Sequence, residues 1–380
     1  MNISLVKREY GSAYGVALLL FAAPFLPFPL TFLAVIFSAI YFLCQKKYRD
    51  ALFSKKSSYI LAAFLAYTII IAAVNKNLMG IAASVTFILI LLCARCLSGI
   101  YTEALFEKCL NLAALCAGGV SVLAIIEYVI CKYALNQHSH RAALWFFNCN
   151  YLASLLVFSI IICAYKVLTK QESNKAVYYI CAALSAAGIY CTASMFSWVG
   201  LFIGLATFLL CDRKHQMLSV LLLGAATMCV VIYCLPEIVP RMDLANITTD
   251  NRINIWTTSI KAIEQSPVFG RGFFTYYTVY EGLGGYPTTH AHNIVIDSVL
   301  SVGIIGTVIV TVYLALFYKR VSICKNSQSK SFISSLILAL TAATLAHSIT
   351  DMTFLWVQTG LLFALVLSGI GIEEKILKLS

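Results

Sequence analysis

The chain has 380 residues, 61% of them hydrophobic and 11% charged, with a mean hydropathy of +0.88. Soluble globular domains carry roughly a quarter charged residues, so this balance excludes a soluble enzyme and indicates an integral membrane protein. The net charge of +11 does not mark a nucleic-acid binder, because the basic residues sit in short loops between apolar runs and not on one face or along one helix.

Apolar runs long enough to cross a hydrocarbon layer of roughly 30 Å as helices recur from end to end. They are continuous and not alternating, which argues against a β-barrel. About twelve spans are expected: Ser12 to Phe25, Phe28 to Cys44, Tyr59 to Val74, Leu78 to Cys96, Leu110 to Tyr133, Asn150 to Leu168, Ala176 to Thr192, Phe196 to Cys211, Leu218 to Leu235, Asn293 to Tyr318, Phe332 to Ser348 and Phe354 to Ile370. Pro24, Pro27 and Pro29 mark a tight connection between the first two. No cleavable signal peptide is evident, since Met1 to Tyr10 leads into one span and directly on to another. No internal repeat is visible, so residues 1–380 read as a single polytopic membrane domain. Between spans nine and ten, residues 236–292 form one large loop.

Loop charge supports this count, because Lys and Arg concentrate on the cytoplasmic side. Alternating the loops puts 20 of the 27 Lys and Arg on one side and seven on the other. Both termini are therefore placed in the cytoplasm and the large loop outside. The outer seven are Lys76, Lys132, Arg141, Arg241, Arg252, Lys261 and Arg271, and cations kept on the disfavoured side more often have a ligand. Nearly all of the fourteen cysteines lie in or at the ends of spans, and none lies between Leu235 and Ala291, so the loop has no disulfide of its own. Cys93 and Cys96 have redox spacing but no second pair nearby, and read as small residues at a helix end.

Three polar pieces stand out. From Asp250, Ile253, Trp256, Ile260 and Ile263 recur at helical spacing, giving an amphipathic helix with Thr249 or Asp250 as cap and a stop before Pro267; Arg252 lies in its first turn. Such a helix can equally lie on the outer leaflet. After Pro267, glycines flank Arg271 in Phe269-Gly270-Arg271-Gly272-Phe273, which permits positive φ and close approach to a ligand. His290 and His292 follow at the mouth of the tenth span. Three roles fit them: a general base, since imidazole titrates near neutrality; metal ligands, although no third ligand is spaced nearby; or structural histidines. The third piece, His138 to Ala153, carries Arg141, suited to a diphosphate by its planar fork, and Asn148 and Asn150, which can be helix caps.

In this order the pieces resemble the O-antigen ligase and polymerase family of bacterial membrane glycosyltransferases. The resemblance rests on Arg141 with Asn148-x-Asn150-Tyr151-Leu152-Ala153, on Arg252 to Trp256 with Pro267-x-x-Gly270-x-Gly272, and on His290-x-His292-Asn293 followed by Gly303-Ile304-Ile305-Gly306. It covers roughly residues 140 to 320. The resemblance implies an all-α, GT-C-like membrane enzyme of the bacterial cytoplasmic membrane, serving cell-envelope polysaccharide such as lipopolysaccharide. It implies transfer of glycan from an undecaprenyl diphosphate carrier to a hydroxyl of a glycolipid or glycan acceptor, with no metal, cofactor or nucleotide sugar. His292 or His290 would be the base, Arg252, with Arg141 and Arg271 as further candidates, would hold the diphosphate, and Asn293, Asn150 and Asp297 would support them. The absence of an Asp-x-Asp motif agrees with a donor of this kind. One departure is Met195, where the family commonly has arginine in a Ser-Arg-Gly-like motif; either another cation, Arg271 or Arg141, takes over that contact, or the chain is a divergent member with altered chemistry. A transporter is the alternative class, but paired broken helices are not apparent and the ionisable residues in spans are few: Glu127, Asp297 and Asp351. Asp297, five residues beyond His292, can orient the base or cap a wet cavity.

Overall fold

The computed structural model describes residues 3–52, 56–169, 174–240, 242, 245–327 and 332–379. Lys55, Lys170, Arg241 and Lys330, which enter the charge count, lie outside the described residues. Among those described there is helix and turn but no strand. In chain order the helices are α1 (Ile3–Ala22), α2 (Phe28–Cys44), α3 (Lys46–Leu52), α4 (Lys56–Val74), α5 (Leu78–Ile100), α6 (Glu103–Val129), α7 (Cys149–Thr169), α8 (Ala176–Thr192), α9 (Met195–Cys211) and α10 (His215–Cys234). They continue with α11 (Ala245–Gln265), α12 (Thr275–Val279), α13 (Ile294–Asn326), α14 (Ile333–His347), α15 (Val357–Leu367) and α16 (Ile370–Leu379).

Each expected apolar stretch falls on helical chain. Among the described residues, Leu78–Ile100, Glu103–Ala134, Cys149–Thr169, His215–Cys234 and Ile294–Asn326 are long and apolar enough to cross a membrane on their own, and six further apolar helices are shorter. The bundle is built around α7, which packs against α6, α8, α9 and α14. Leu152, Leu155, Leu156, Ile161 and Ile162 are fully buried along it, whereas α10 buries none of its residues. A helix that is apolar on every side but buried on none faces lipid. The proline-rich junction is tight as expected: a short turn, Ala23–Phe25, leads to Pro27 as N-cap of α2, and the Thr31 hydroxyl closes back on the Ala23 carbonyl at 2.7 Å.

The segment Pro267 to Phe273 is a clasp. Helix α13 is broken at Gly303 (φ 64°, ψ −176°), a conformation open essentially to glycine alone. The amides freed by that break, Ile304 and Ile305, donate to the carbonyls of Pro267 and Val268 at 2.9 and 3.1 Å, and the Gly272 amide donates to Ser301 O at 2.7 Å. Backbone meets backbone here: a Cβ on Gly303 would fall 2.3 Å from Val268 O, and one on Gly270 2.5 Å from Gly303 N. Tyr67 of α4 donates to both Phe269 O and Val302 O, and Asn77 donates to Arg271 O and Phe273 O. The close approach that these glycines permit is therefore to the broken helix and not to a ligand.

Helix α11 departs from expectation in two respects. It begins at Ala245, so Thr249 and Asp250 lie inside it and do not cap it. It does stop at Gln265, ahead of Pro267. Its buried face is Ile255, Thr258, Ser259 and Ala262, while Ile253 and Ile260 are each 49% exposed. Small hydroxyl residues are readily buried when the hydroxyl bonds its own helix, as Ser259 Oγ does to Ile255 O at 2.7 Å. Hydrophobic periodicity alone passed over that face.

Candidate active site

Two histidines and one carboxylate form the centre of the site. Asn293 accepts from the amides of Val295 and Ile296 and so caps α13, and its own amide donates to Ile349 O. The expected supporting role of Asn293 is thus that of a helix cap. The preceding His292 has φ 51°, a left-handed turn uncommon for a residue with a side chain. That turn brings His290 and His292 to one side, with ring centroids 4.4 Å apart. Asp297 reaches back to the Ala291 amide at 2.8 Å and accepts from Ser301. It steadies the backbone between the histidines rather than bonding either ring.

The carboxylate that meets the rings is Asp351, in the turn after α14, whose role the sequence reading missed. His290 Nε2 lies 2.8 Å and His292 Nδ1 3.2 Å from Asp351 Oδ1, while Asn150 Nδ2 donates to Oδ2 at 2.5 Å. An ionised carboxylate only accepts, so His290 carries its proton on Nε2 and His292 on Nδ1 toward Asp351. The Nε2 of His292 is then left as an acceptor, and it sits 2.9 Å from the Thr288 hydroxyl. His290 Nδ1 lies 2.9 Å from the Thr289 hydroxyl. His290 and Asp351 are buried, whereas the His292 side chain is 17% exposed.

Electrostatics tie the pair together. Burial works to raise the Asp351 carboxyl, but the two imidazoles that face and hydrogen-bond it hold it well below the usual carboxylate range. Burial pulls the His290 imidazole down, yet the hydrogen bond and charge of Asp351, aided by Asp297, leave it above the usual histidine range. The buried pair is thus biased toward imidazolium and carboxylate.

Arginines approach from two other elements. Arg141 donates through Nη2 to Asn150 Oδ1 and through Nε to Thr192 O, each at 2.8 Å, so Asn150 bridges Arg141 and Asp351. Asn148, by contrast, is a cap, accepting from the Asn150 amide. The loop carrying Arg141 is pinned by Glu127, which meets the His140 ring at 2.9 Å and accepts from the Leu144 amide at 2.8 Å. Arg252 projects from α11 over the Phe196 ring at 5.0 Å. Burial, and the nearby charge of Arg141, lower its pKa against the opposing pull of Asp351, yet an arginine remains charged there. Phe196 is the second residue of α9, directly after Met195, so Arg252 of α11 stands over this helix opening, and Arg141 is held at Thr192 just ahead of it.

Arg271 is not brought to the centre. Its guanidinium donates to Gln265 Oε1 at 3.1 Å, and Gln265 lies thirteen residues beyond Arg252 on α11, about 20 Å along the axis. Trp256, one turn beyond Arg252, buries its indole N–H with no hydrogen-bond partner among the described residues, a donor that a ligand oxygen would satisfy. The third metal-ligand type lacking near His290 and His292 in sequence is also present in space, since one ligand atom from each of His290, His292 and Asp351 lies within 4.8 Å of the others. The signal for Asp351 was an acid at the mouth of a span, which is costly unless paired; nothing local in the sequence named its partners.

Residues 180–311 match the family model described as O-Antigen ligase. The match takes in Arg252, Arg271, His290 and His292, and ends before Asp351. No curated protein matches the chain.

Proposed function

We propose that this O-antigen ligase-like membrane chain transfers glycan from an undecaprenyl diphosphate carrier to a hydroxyl acceptor on the outer face of the bacterial cytoplasmic membrane, as a ligase. The observation that carries the reading is the convergence of Arg141, Asn150, Asp351, His290 and His292, drawn from three separate connections, with Arg252 facing the same centre from α11.

His292 Nε2 takes the proton of the acceptor hydroxyl, whose oxygen attacks the anomeric carbon. The bond from that carbon to the diphosphate oxygen breaks, and the departing diphosphate takes the electron pair. Asp351 keeps Nδ1 of His292 protonated and its ring aimed; a positioned base of this kind contributes about 10²- to 10⁴-fold. Arg252 and Arg141 hold the leaving diphosphate, where fixed cations need no reorganisation as charge develops. His290, biased toward imidazolium, holds Asp351 and leaves the base role to His292. No step requires a metal ion.

Twelve spans, with both termini cytoplasmic and residues 236–292 outside, agree with which connections touch. Trp145 donates to Phe25 O, Gln358 to Leu26 O, Asn77 to Phe273 O, Arg141 to Thr192 O, Tyr190 to Ile238 O, and the Ile294 amide to Ser348 O. Each is a contact between connections, or the span ends next to them, that alternate crossing assigns to the outer face. Opposite them, Arg320 pairs with Glu374 and Lys325 with Asp212.

The test is a deletion strain, with lipid-linked and transferred polysaccharide separated on gels. Long polymer retained on its lipid carrier supports the ligase. Accumulated single repeat units would instead assign the chain as the polymerase of the same family, and no change in either pool would contradict both.

A further inference from the structure

The stretch from Thr275 to Pro287 places four tyrosines on thirteen residues and takes no part in the transfer chemistry. It folds back on α11 as a fixed layer. Tyr276 is fully buried and its hydroxyl donates to Tyr286 O at 2.9 Å, while the Tyr286 amide donates to Asn254 Oδ1 of α11 at 2.7 Å and the Gly285 amide to Tyr280 O at 2.7 Å. A Cβ on Gly285 would fall 2.7 Å from Thr258 Cγ2 and 2.8 Å from Tyr276 Oη, so the turn lies directly on the helix with no room for a side chain there.

Rings stand on the outer side of this layer. Tyr280 stacks on Tyr276 with centroids 6.0 Å apart and 12° between the planes, and Tyr277 lies 6.1 Å from Tyr280. Tyr277 and Tyr286 are 47% and 43% exposed, and Thr278, Glu281 and Gly282 are exposed with them. Rings already held by buried contacts lose little freedom when a ligand settles on them.

The layer also leads to the base. Thr288, two residues past Tyr286, has its hydroxyl 2.9 Å from Nε2 of His292, and Ala291, between the histidines, is buried in the same apolar cluster as Tyr276, with Tyr280 packed against it. A hydroxyl that gives its proton to Nε2 must come to rest beside Thr288. Arg141 and Arg252 hold the diphosphate side from other elements, so the rest of the acceptor extends along residues 286–288.

We propose that Tyr277, Tyr280 and Tyr286 form a platform for the sugars of the acceptor, with Glu281 accepting from sugar hydroxyls at its edge. A pyranose turns C–H groups to one face, and these meet the negative face of an aromatic ring; a carboxylate accepts from hydroxyls through both oxygens. Other occupants fit less well. No lysine or arginine occurs from Gly272 to Tyr318, so the segment offers no cation to the phosphates of a membrane surface, and the exposed Thr278 and Glu281 are costly to bury in hydrocarbon. The proposal rests on the glycosyl-transfer reading for the identity of the acceptor, whereas binding is measured without turnover.

The experiment uses the full chain in detergent. The probe is the oligosaccharide released from the glycolipid that a deletion strain leaves unsubstituted, and its contact is read by saturation-transfer difference NMR. Wild type is expected to saturate the sugar C–H protons. Tyr277→Ala and Tyr286→Ala, both at exposed positions, are each expected to weaken binding about three- to tenfold, and Tyr277→Phe, which keeps the ring, to stay within about twofold of wild type. With the intact glycolipid as acceptor and an undecaprenyl-diphosphate-linked donor, the alanine variants should raise the acceptor KM by the same factor and leave the donor KM within about twofold. Saccharide contact that the alanine variants lose, with no transfer by wild type, would leave the platform standing and remove the transferase reading. Absent saturation in wild type, normal transfer with an unchanged acceptor KM in both alanine variants, or a phenylalanine variant as weak as alanine would overturn the platform.

Discussion

Asp351 and His290 are 61 residues apart in the chain, yet Oδ1 of one lies 2.8 Å from Nε2 of the other with both side chains buried. The same oxygen receives His292 Nδ1 at 3.2 Å, and Asn150 binds the second oxygen at 2.5 Å. One carboxylate thus fixes both imidazoles and links them, through Asn150, to Arg141.

Replacing Asp351 by Asn keeps the shape but presents an amide N–H where the imidazoles need an acceptor. We expect Asp351→Asn to lower glycan transfer by about 10²- to 10⁴-fold and to destabilise the fold by about 1–3 kcal/mol through the buried donors it strands. Transfer assays and thermal unfolding in detergent check both, and near-normal turnover would remove Asp351 from the site.

The arginines should separate cleanly. Arg252→Ala is expected to weaken donor use by about 10- to 100-fold, the worth of one charged hydrogen bond, and Arg252→Lys to restore it only partly, since a point charge lacks the bidentate fork. Arg271→Ala, on a side chain held at Gln265, should leave donor use within about threefold of wild type. Donor titrations of the three variants decide it; a larger loss at Arg271 than at Arg252 would reverse the assignment.

At the clasp, Gly303→Ala must place a Cβ 2.3 Å from Val268 O in a backbone region reserved for glycine. A loss of about 2–4 kcal/mol is expected, seen as a lower unfolding temperature. Gly282→Ala, with nothing within 4 Å of its added carbon, is the control, and equal stability of the two variants would contradict the clasp.

Stability should also depend on pH through the buried pair. The His290 pKa is raised, so its contribution is full below the unfolded histidine value of about 6.5 and is lost as pH rises through the folded value. The Asp351 pKa is depressed, so its contribution is present above the unfolded value of about 4 and is lost as pH falls through the folded one. Wild-type unfolding temperature should therefore fall as pH is raised from about 6 to about 9, and His290→Gln should flatten that slope. An unchanged slope in the variant would mean that the pair does not titrate as described.

Much of this was legible in the sequence. Apolar runs located the helices, because a span must satisfy its own backbone, and His290, His292, Arg141 and Asn150 were visible as polar residues at the mouths of spans. What the sequence did not convey were tertiary choices. Asp351 pairs with histidines on a distant connection, and the buried Thr258 and Ser259 face of α11 carries no hydrophobic signal. The glycines around Arg271 resemble a ligand loop, although their freedom serves the break at Gly303.

Chelator added to the transfer assay is expected to leave the rate unchanged. A loss restored by a divalent ion would mean instead that His290, His292 and Asp351 act as metal ligands.

The most direct measurement is transfer by purified protein from an undecaprenyl-diphosphate-linked glycan, comparing wild type with His292→Ala at saturating donor and acceptor. Wild type should form the new glycosidic bond and release undecaprenyl diphosphate, while a correctly folded His292→Ala falls by about 10²- to 10⁴-fold in kcat. Full turnover by that variant would contradict His292 as the base, and no transfer by wild type with a range of acceptors would contradict the enzyme reading itself.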